Sequence, residues 1–186
     1  MKQLYQSFLP GEEIPVLPLL KKRKLFKYYT RETMAAVLTA GRLLQEAGTP
    51  PDLPFYYASA EMEDETEFRA FFQRFKAGEP ISEFSPQRYY TAASPLFLFK
   101  MMRNMVPCFV SIENGLVGDN NVLLDSAEGL LLAGMTAPAR LVLLGAGYLH
   151  ADGTVETGFA LISPDECAAR LSRIHPDDRA IELFRS

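Results

Sequence analysis

The sequence predicts a layered α/β domain with a central mixed sheet and buried helices. Three observations predict it. Residues 140–145 and 156–163 are short apolar runs of the kind found in a sheet covered on both faces. Residues 30–48 and 163–173 carry apolar or small residues at helical spacing behind a hydroxyl residue able to cap a helix. Residues 121–133 pass from an apolar strand through a tight turn into an apolar helix. Strands and helices alternating in this order pack as layers.

Taken in order, residues 1–20 hold Pro10, Gly11, Pro15 and Pro18 and read as extended. They belong to an N-terminal segment, residues 1–25, of a single domain spanning 1–186. Thr30 caps the first helix, in which Met34, Val37, Leu38, Gly41, Leu44 and Gln45 recur at helical spacing. Gly48 ends it, and Pro50 and Pro51 cannot continue it. Residues 53–59, aromatic and bounded by proline, read as a strand. Residues 61–76 carry Phe68, Phe71, Phe72 and Phe75 on one stripe of an acidic helix that stops at Gly78, and 79–95 read as loop. Residues 96–102 are apolar, and 105–112 continue that character until Gly115 closes a helix. Residues 121–124 read as a short buried strand, and 126–133 as a helix with leucine on several sides. Gly145-Ala146-Gly147 follows a strand, as a phosphate-cradling loop does, but no helix opens after it. A hairpin turning at Asp152-Gly153 fits better. Ser163-Pro164 opens the last helix. Two helices, 30–48 and 126–133, look apolar nearly all round, so a second sheet or a partner is expected to cover them.

The totals exclude several function classes. A chain of 186 residues, 48% of them hydrophobic, can bury a substantial core. No apolar run reaches the ~18 residues of a membrane-spanning helix. The N-terminus lacks the apolar region of a signal peptide, so cytoplasmic residence is the default expectation. A net charge of −4 argues against nucleic acid as the main partner. Lys21-Lys22-Arg23-Lys24, followed by Lys27 and Arg31, runs against that balance. It is either a solvated face or a landing patch for an acidic partner or phosphate-bearing carrier. Cys108 and Cys167 lack any metal-ligand spacing, and His150 and His175 are the only histidines. No metal and no cofactor are expected, and both cysteines read as small apolar core residues.

One place looks built for chemistry. A strand-to-helix turn often presents a nucleophile, and here the turn offers Asp125, Ser126 and Ala127. Ser126 is either an exposed nucleophile or the cap of the following helix. No spacing identifies a histidine as its base. Cys108, after Pro107, is the other candidate nucleophile. Met101, Met102 and Met105 are soft apolar residues that serve as core or line acyl tunnels.

Residues 34–48, Met-Ala-Ala-Val-Leu-Thr-Ala-Gly-Arg-Leu-Leu-Gln-Glu-Ala-Gly, resemble the alanine-rich first long helix of β-ketoacyl synthases. Residues 94–118, from Ser94-Pro95-Leu96-Phe97 to Asn114-Gly115-Leu116-Val117-Gly118, resemble the synthase stretch ending in Gly-Leu-x-Gly-Pro, with Asp119 in place of the proline. Leu143-Leu144-Gly145-Ala146-Gly147 resembles the family's glycine-containing strand. The match covers about residues 25–163 and is similar to the N-terminal half of the thiolase-like fold. The resemblance implies that the catalytic cysteine position falls on Ala127, or on Ser126 with one gap. The turn 125–127 is then vestigial, and no catalytic residue is carried over. Condensation needs the thiolate and two histidines of the C-terminal half. By resemblance, the expected role is that of a non-catalytic, chain-length-factor-like partner in fatty acid or polyketide (aryl-polyene-type) biosynthesis. The implied partners are a ketosynthase or a second copy of the chain, and an acyl carrier protein. A dimer would pair along residues 122–125 or their neighbours. The alternative is a small acyl-transferring or thioester-hydrolysing enzyme using Ser126 or Cys108, and a third option is a stand-alone ligand-binding or structural homodimer.

Overall fold

A computed structural model describes residues 2–60 and 102–185. Five strands, β1 (Lys2–Phe8), β2 (Phe55–Ser59), β3 (Asn120–Leu124), β4 (Val142–Leu149) and β5 (Val155–Ile162), form one mixed sheet in the order β1-β5-β4-β2-β3. β2 runs parallel to both β3 and β4, whereas β5 is antiparallel to β4 and to β1. The four described helices are α1 (Arg31–Ala47), α2 (Met105–Asn114), α3 (Ala127–Met135) and α4 (Pro164–Leu171), with 3-10 turns at Leu17–Leu19, Arg23–Tyr28 and Ala180–Phe184. The α/β layering expected from the sequence is what the chain forms.

Side-chain alternation divides the sheet into two faces. Phe55, Tyr57, Leu143, Val155, Phe159 and Leu161 join α1 and α2 in one core. Ala58, Val142, Leu144, Ala146, Ala160 and Ile162 join α3, α4 and the 180–184 turn in the other. Both central hairpin strands are therefore buried on both faces, and β5 is buried along its whole length. The turn after β4 closes through hydrogen bonds from Gly153 N to His150 O and from His150 N to Thr154 O, with Gly153 at φ 90°.

The helix boundaries follow the capping chemistry. Thr30 accepts a hydrogen bond from Thr33 N, and Gly48 ends α1 in the left-handed region. Gly115 ends α2 in the same way. Ser163 and Glu166 form a reciprocal capping box at the start of α4.

Several expectations are corrected. The predicted strand 121–124 is an edge strand rather than a buried one, with Asn120, Asn121 and Leu124 exposed. Its apolar residues misled because an edge also packs one face. Gly145-Ala146-Gly147 lies inside β4, not after it. A Cβ on Gly145 would collide with the Phe159 ring, so the glycine marks close packing of the hairpin. On α1, Leu43 is buried beside Leu44, while Gln45 is exposed. Among the described residues no second sheet covers α1: the sheet lies on one side and α2 on another. On α3, Leu130 and Leu131 are buried but Leu132 is exposed, so that helix is covered on one side. Residues 2–8, read only as extended, and residues 180–184, which carry no strong signal of their own, supply an edge strand and a core-covering turn. The predicted helix 61–76, the loop 79–95 and most of the apolar run 96–102 lie outside the described residues.

Candidate functional site

The parallel strands β2, β3 and β4 end at one edge of the sheet, where α/β proteins gather functional groups. There β3 runs into the corner Asp125-Ser126-Ala127 and then into α3. The Ser126 Oγ accepts a 3.1 Å hydrogen bond from Gly129 N, which makes Ser126 the N-cap of α3. Its backbone is extended, at φ −138° and ψ 123°. All positive φ values among the described residues belong to glycines 11, 48, 115 and 153, so the corner lacks the strain of a nucleophile elbow. Ala127 is fully buried, and its N–H donates to Asp178 O at 3.0 Å. The Asp125 carboxylate accepts from Ala180 N at 3.0 Å and faces the Arg179 guanidinium at 3.9 Å. Burial raises the Asp125 carboxyl above its ordinary pKa, against the Ala180 amide and the Arg179 charge. Each member of the corner thus holds the C-terminal turn or caps the helix.

On the α1 side of the same edge, Glu32 in the first turn of α1 accepts from the Tyr57 hydroxyl at 2.8 Å and from Ser59 Oγ at 3.2 Å. Gly147 leaves the space, because a Cβ there would collide with the Tyr57 hydroxyl and Glu32. Burial raises the Glu32 carboxyl; the hydrogen bonds from Tyr57 and Ser59 and the Arg103 charge oppose it, and the Asp125 charge adds to it. Burial and Glu32 together push the Tyr57 phenol well above its usual value. This trio was not picked out from sequence, although an acidic residue opening a buried helix and a tyrosine inside a strand are the available signals.

On the opposite face, Glu156 gathers three partner residues through four contacts. Arg185 donates through Nε at 3.1 Å and Nη2 at 2.5 Å, the Tyr5 hydroxyl also donates, and His150 Nε2 lies 2.7 Å away. Burial would raise this carboxyl, but these partners outweigh it and hold it down at about 2. The His150 ring stands edge-on to Tyr148 at 4.5 Å, and Arg179 lies over Tyr148 at 4.4 Å. A relay of ionic, ring and cation–π contacts therefore runs from Glu156 through His150, Tyr148 and Arg179 to Asp125 at the corner. A charged residue in a strand that is otherwise apolar was the sequence signal, since buried charge demands partners.

Of the sequence-predicted groups, Asp125, Ser126 and Ala127 are together by chain order, while the cysteines and histidines are elsewhere. Cys108 is half-buried in α2, and Cys167 is buried in α4, its thiol raised by burial to about 11. His175 sits in an exposed turn beside Asp177. Among the described residues, no hydrogen bond joins either histidine to Ser126 or a cysteine, and no cluster of His, Cys, Asp and Glu is arranged to hold a metal ion. Nor is any described helix long and apolar enough to cross a membrane.

No family model matches the chain. No curated protein matches it either. Among solved structures, a chain described as "AbyA1 - tetronic acid condensing enzyme" is similar at a TM-score of 0.42 and 15% identity, over 88% of this chain and 50% of that one. This chain therefore spans about half the length of that structure.

Proposed function

We infer that the chain is a non-catalytic β-ketoacyl-synthase-like protein, a chain-length-factor-like partner in fatty acid or polyketide biosynthesis of the aryl-polyene type. The sequence resemblance over residues 25–163 motivates the reading, and the mixed sheet with helices on both faces is compatible with the half-fold it implies. The observation that carries it is the state of the corner. Ser126 caps α3, Asp125 binds the Ala180 amide, and Ala127 offers only a buried methyl. Acyl transfer needs a nucleophile with a base in reach, and this corner combines neither.

The partners in this reading are a ketosynthase or a second copy of the chain, with an acyl carrier protein presenting the acyl group. The edge position of β3 supports pairing there, because an edge strand carries unpaired backbone groups. Leu124, 70% exposed at its end, adds apolar surface.

The test has two arms. Incubation with an activated acyl thioester, followed by intact-mass measurement, is expected to leave the protein unmodified. An adduct that vanishes in Ser126→Ala or Cys108→Ala would establish an acyl-transferring or thioester-hydrolysing enzyme instead. Affinity capture with a purified ketosynthase, and a size measurement of the chain alone, are expected to find a hetero- or homodimer that Leu124→Lys weakens. A monomer that captures neither ketosynthase nor carrier protein would sink the reading.

A further inference from the structure

We propose that residues 17–27 form a docking surface for an anionic lipid membrane. From Ile14 through Arg31 the chain carries six Lys and Arg residues, Arg31 included, and no Asp or Glu, although its net charge is −4. Lys21, Lys22, Arg23, Lys24 and Lys27 are all exposed, and none forms an ion pair among the described residues. The same stretch exposes two large apolar side chains, Leu17 at 48% and Phe26 at 36%.

The segment is held from beneath. Leu20 and Tyr29 are buried, and Leu19, Leu25 and Tyr28 pack on the core. Glu113 of α2, itself buried, accepts hydrogen bonds from Lys21 N at 2.5 Å, Lys22 N at 3.0 Å and the Tyr29 hydroxyl at 2.9 Å. The Glu113 carboxylate is thus committed to the backbone amides of the basic run and to the Tyr29 hydroxyl. Among the described residues the Lys27 ammonium lies 5.0 Å over the Tyr28 ring, and the charged groups of Lys21, Lys22, Arg23 and Lys24 form no ion pair.

Cations interleaved with exposed apolar side chains suit an anionic bilayer interface, where charge attracts the headgroups and apolar groups enter the acyl boundary. An acidic protein would be met by the charges alone. A nucleic acid could stack a base on Phe26 but has no use for aliphatic Leu17. The attachment is peripheral, and it stands independently of the reading of the corner at 125–127.

The whole chain is used for the test. It contains no tryptophan, so Phe26→Trp installs the sole tryptophan, excited selectively over the tyrosines at long wavelength. The protein is expected to float with vesicles of phosphatidylcholine and phosphatidylglycerol at low salt, and to stay unbound with phosphatidylcholine alone. The reporter's emission should shift to the blue with the anionic vesicles only. The triple variant Lys21→Gln/Lys22→Gln/Lys24→Gln, checked for an unchanged melting curve, should bind on the order of a hundredfold more weakly. Phe26→Ser should also weaken binding while leaving the charges in place. No flotation with anionic vesicles, equal flotation with phosphatidylcholine alone, or undiminished binding by the triple variant overturns the proposal. So does a blue shift given by polyglutamate or single-stranded DNA but not by vesicles.

Discussion

The Tyr57 hydroxyl donates to Glu32 across 2.8 Å, joining the middle of the sheet to the first turn of α1. Burial raises the Glu32 carboxyl above 4.5 in the folded chain. The unfolded chain therefore loses this proton first as pH rises, and the folded state binds more protons in the window just above 4.5. Stability falls as pH climbs through that window. Glu32→Gln keeps an acceptor for Tyr57 and Ser59 without the charge, so it should remove this part of the slope and hold or raise stability at pH 8. Glu32→Ala leaves the Tyr57 hydroxyl without its acceptor, while Ser59 Oγ keeps a 3.4 Å contact to Ala60 O, and should cost about 1–3 kcal/mol. Urea titrations across pH check both outcomes.

Glu156 works in the opposite sense. Its folded-state value, held down at about 2 against the ordinary 4.5 by Arg185, Tyr5 and His150, stabilises the fold above 4.5. That contribution is lost as pH falls from 4.5 towards 2. Glu156→Gln should flatten the acid limb of the stability curve and loosen the C-terminal turn. Arg185 is 40% exposed, and solvent screening keeps the expected cost at neutral pH near about 1–2 kcal/mol. Acid titration followed by circular dichroism, with hydrogen exchange at residues 180–185, reads both effects.

These two carboxylates also mark the limits of the sequence. Caps at Thr30, Gly48, Gly115 and Ser163 were legible because they are local chemistry: one side chain or one positive φ serves the adjacent turn. The apolar runs of β4 and β5 were legible because both faces of these strands are buried. Strand β1 was not, since Lys-Gln-Leu-Tyr-Gln-Ser-Phe has little apolar signal and owes its form to pairing with β5. The partners of Glu156 are drawn from residues 5, 150 and 185, far apart in sequence. At the corner, the sequence offered capping as one role for Ser126, but not the tie from Asp125 to Ala180.

Ser126→Ala should cost about 0.5–2 kcal/mol through loss of the α3 cap. Ser126→Asp retains an acceptor for Gly129 N and should recover most of it. A nucleophilic serine predicts instead that both replacements abolish any acyl-transfer signal alike, because neither carries a hydroxyl. Thermal melts alongside acyl-adduct measurement separate the two roles.

The two thiols should differ sharply. Cys167 is fully buried and its thiol is raised to about 11, so at pH 8 it is neutral and shielded. Cys108 is only half-buried. Iodoacetamide under native conditions should label Cys108 and spare Cys167, and labelling in denaturant should modify both. Peptide mapping by mass spectrometry gives the answer, and native labelling at Cys167 would show that α4 opens readily.

Cys167 also sets the size of its neighbour. A Cβ on Gly134 of α3 would lie 2.8 Å from the Cys167 sulfur and 3.2 Å from two Leu144 methyls, inside van der Waals contact. Alanine is favoured over glycine in a helix interior by about 1 kcal/mol. Overpacking against a sulfur fixed by α4 costs about 1–3 kcal/mol and should outweigh that preference. Gly134→Ala is therefore expected to destabilise the protein. In a Cys167→Ala background the clash with sulfur disappears and only the Leu144 methyls stay close, so the same replacement should cost less. A double-mutant cycle read by denaturant titration measures the coupling, which should be of order 1 kcal/mol or more if α3 and α4 meet through this pair. Additive effects would mean that the two helices shift apart to admit the methyl group.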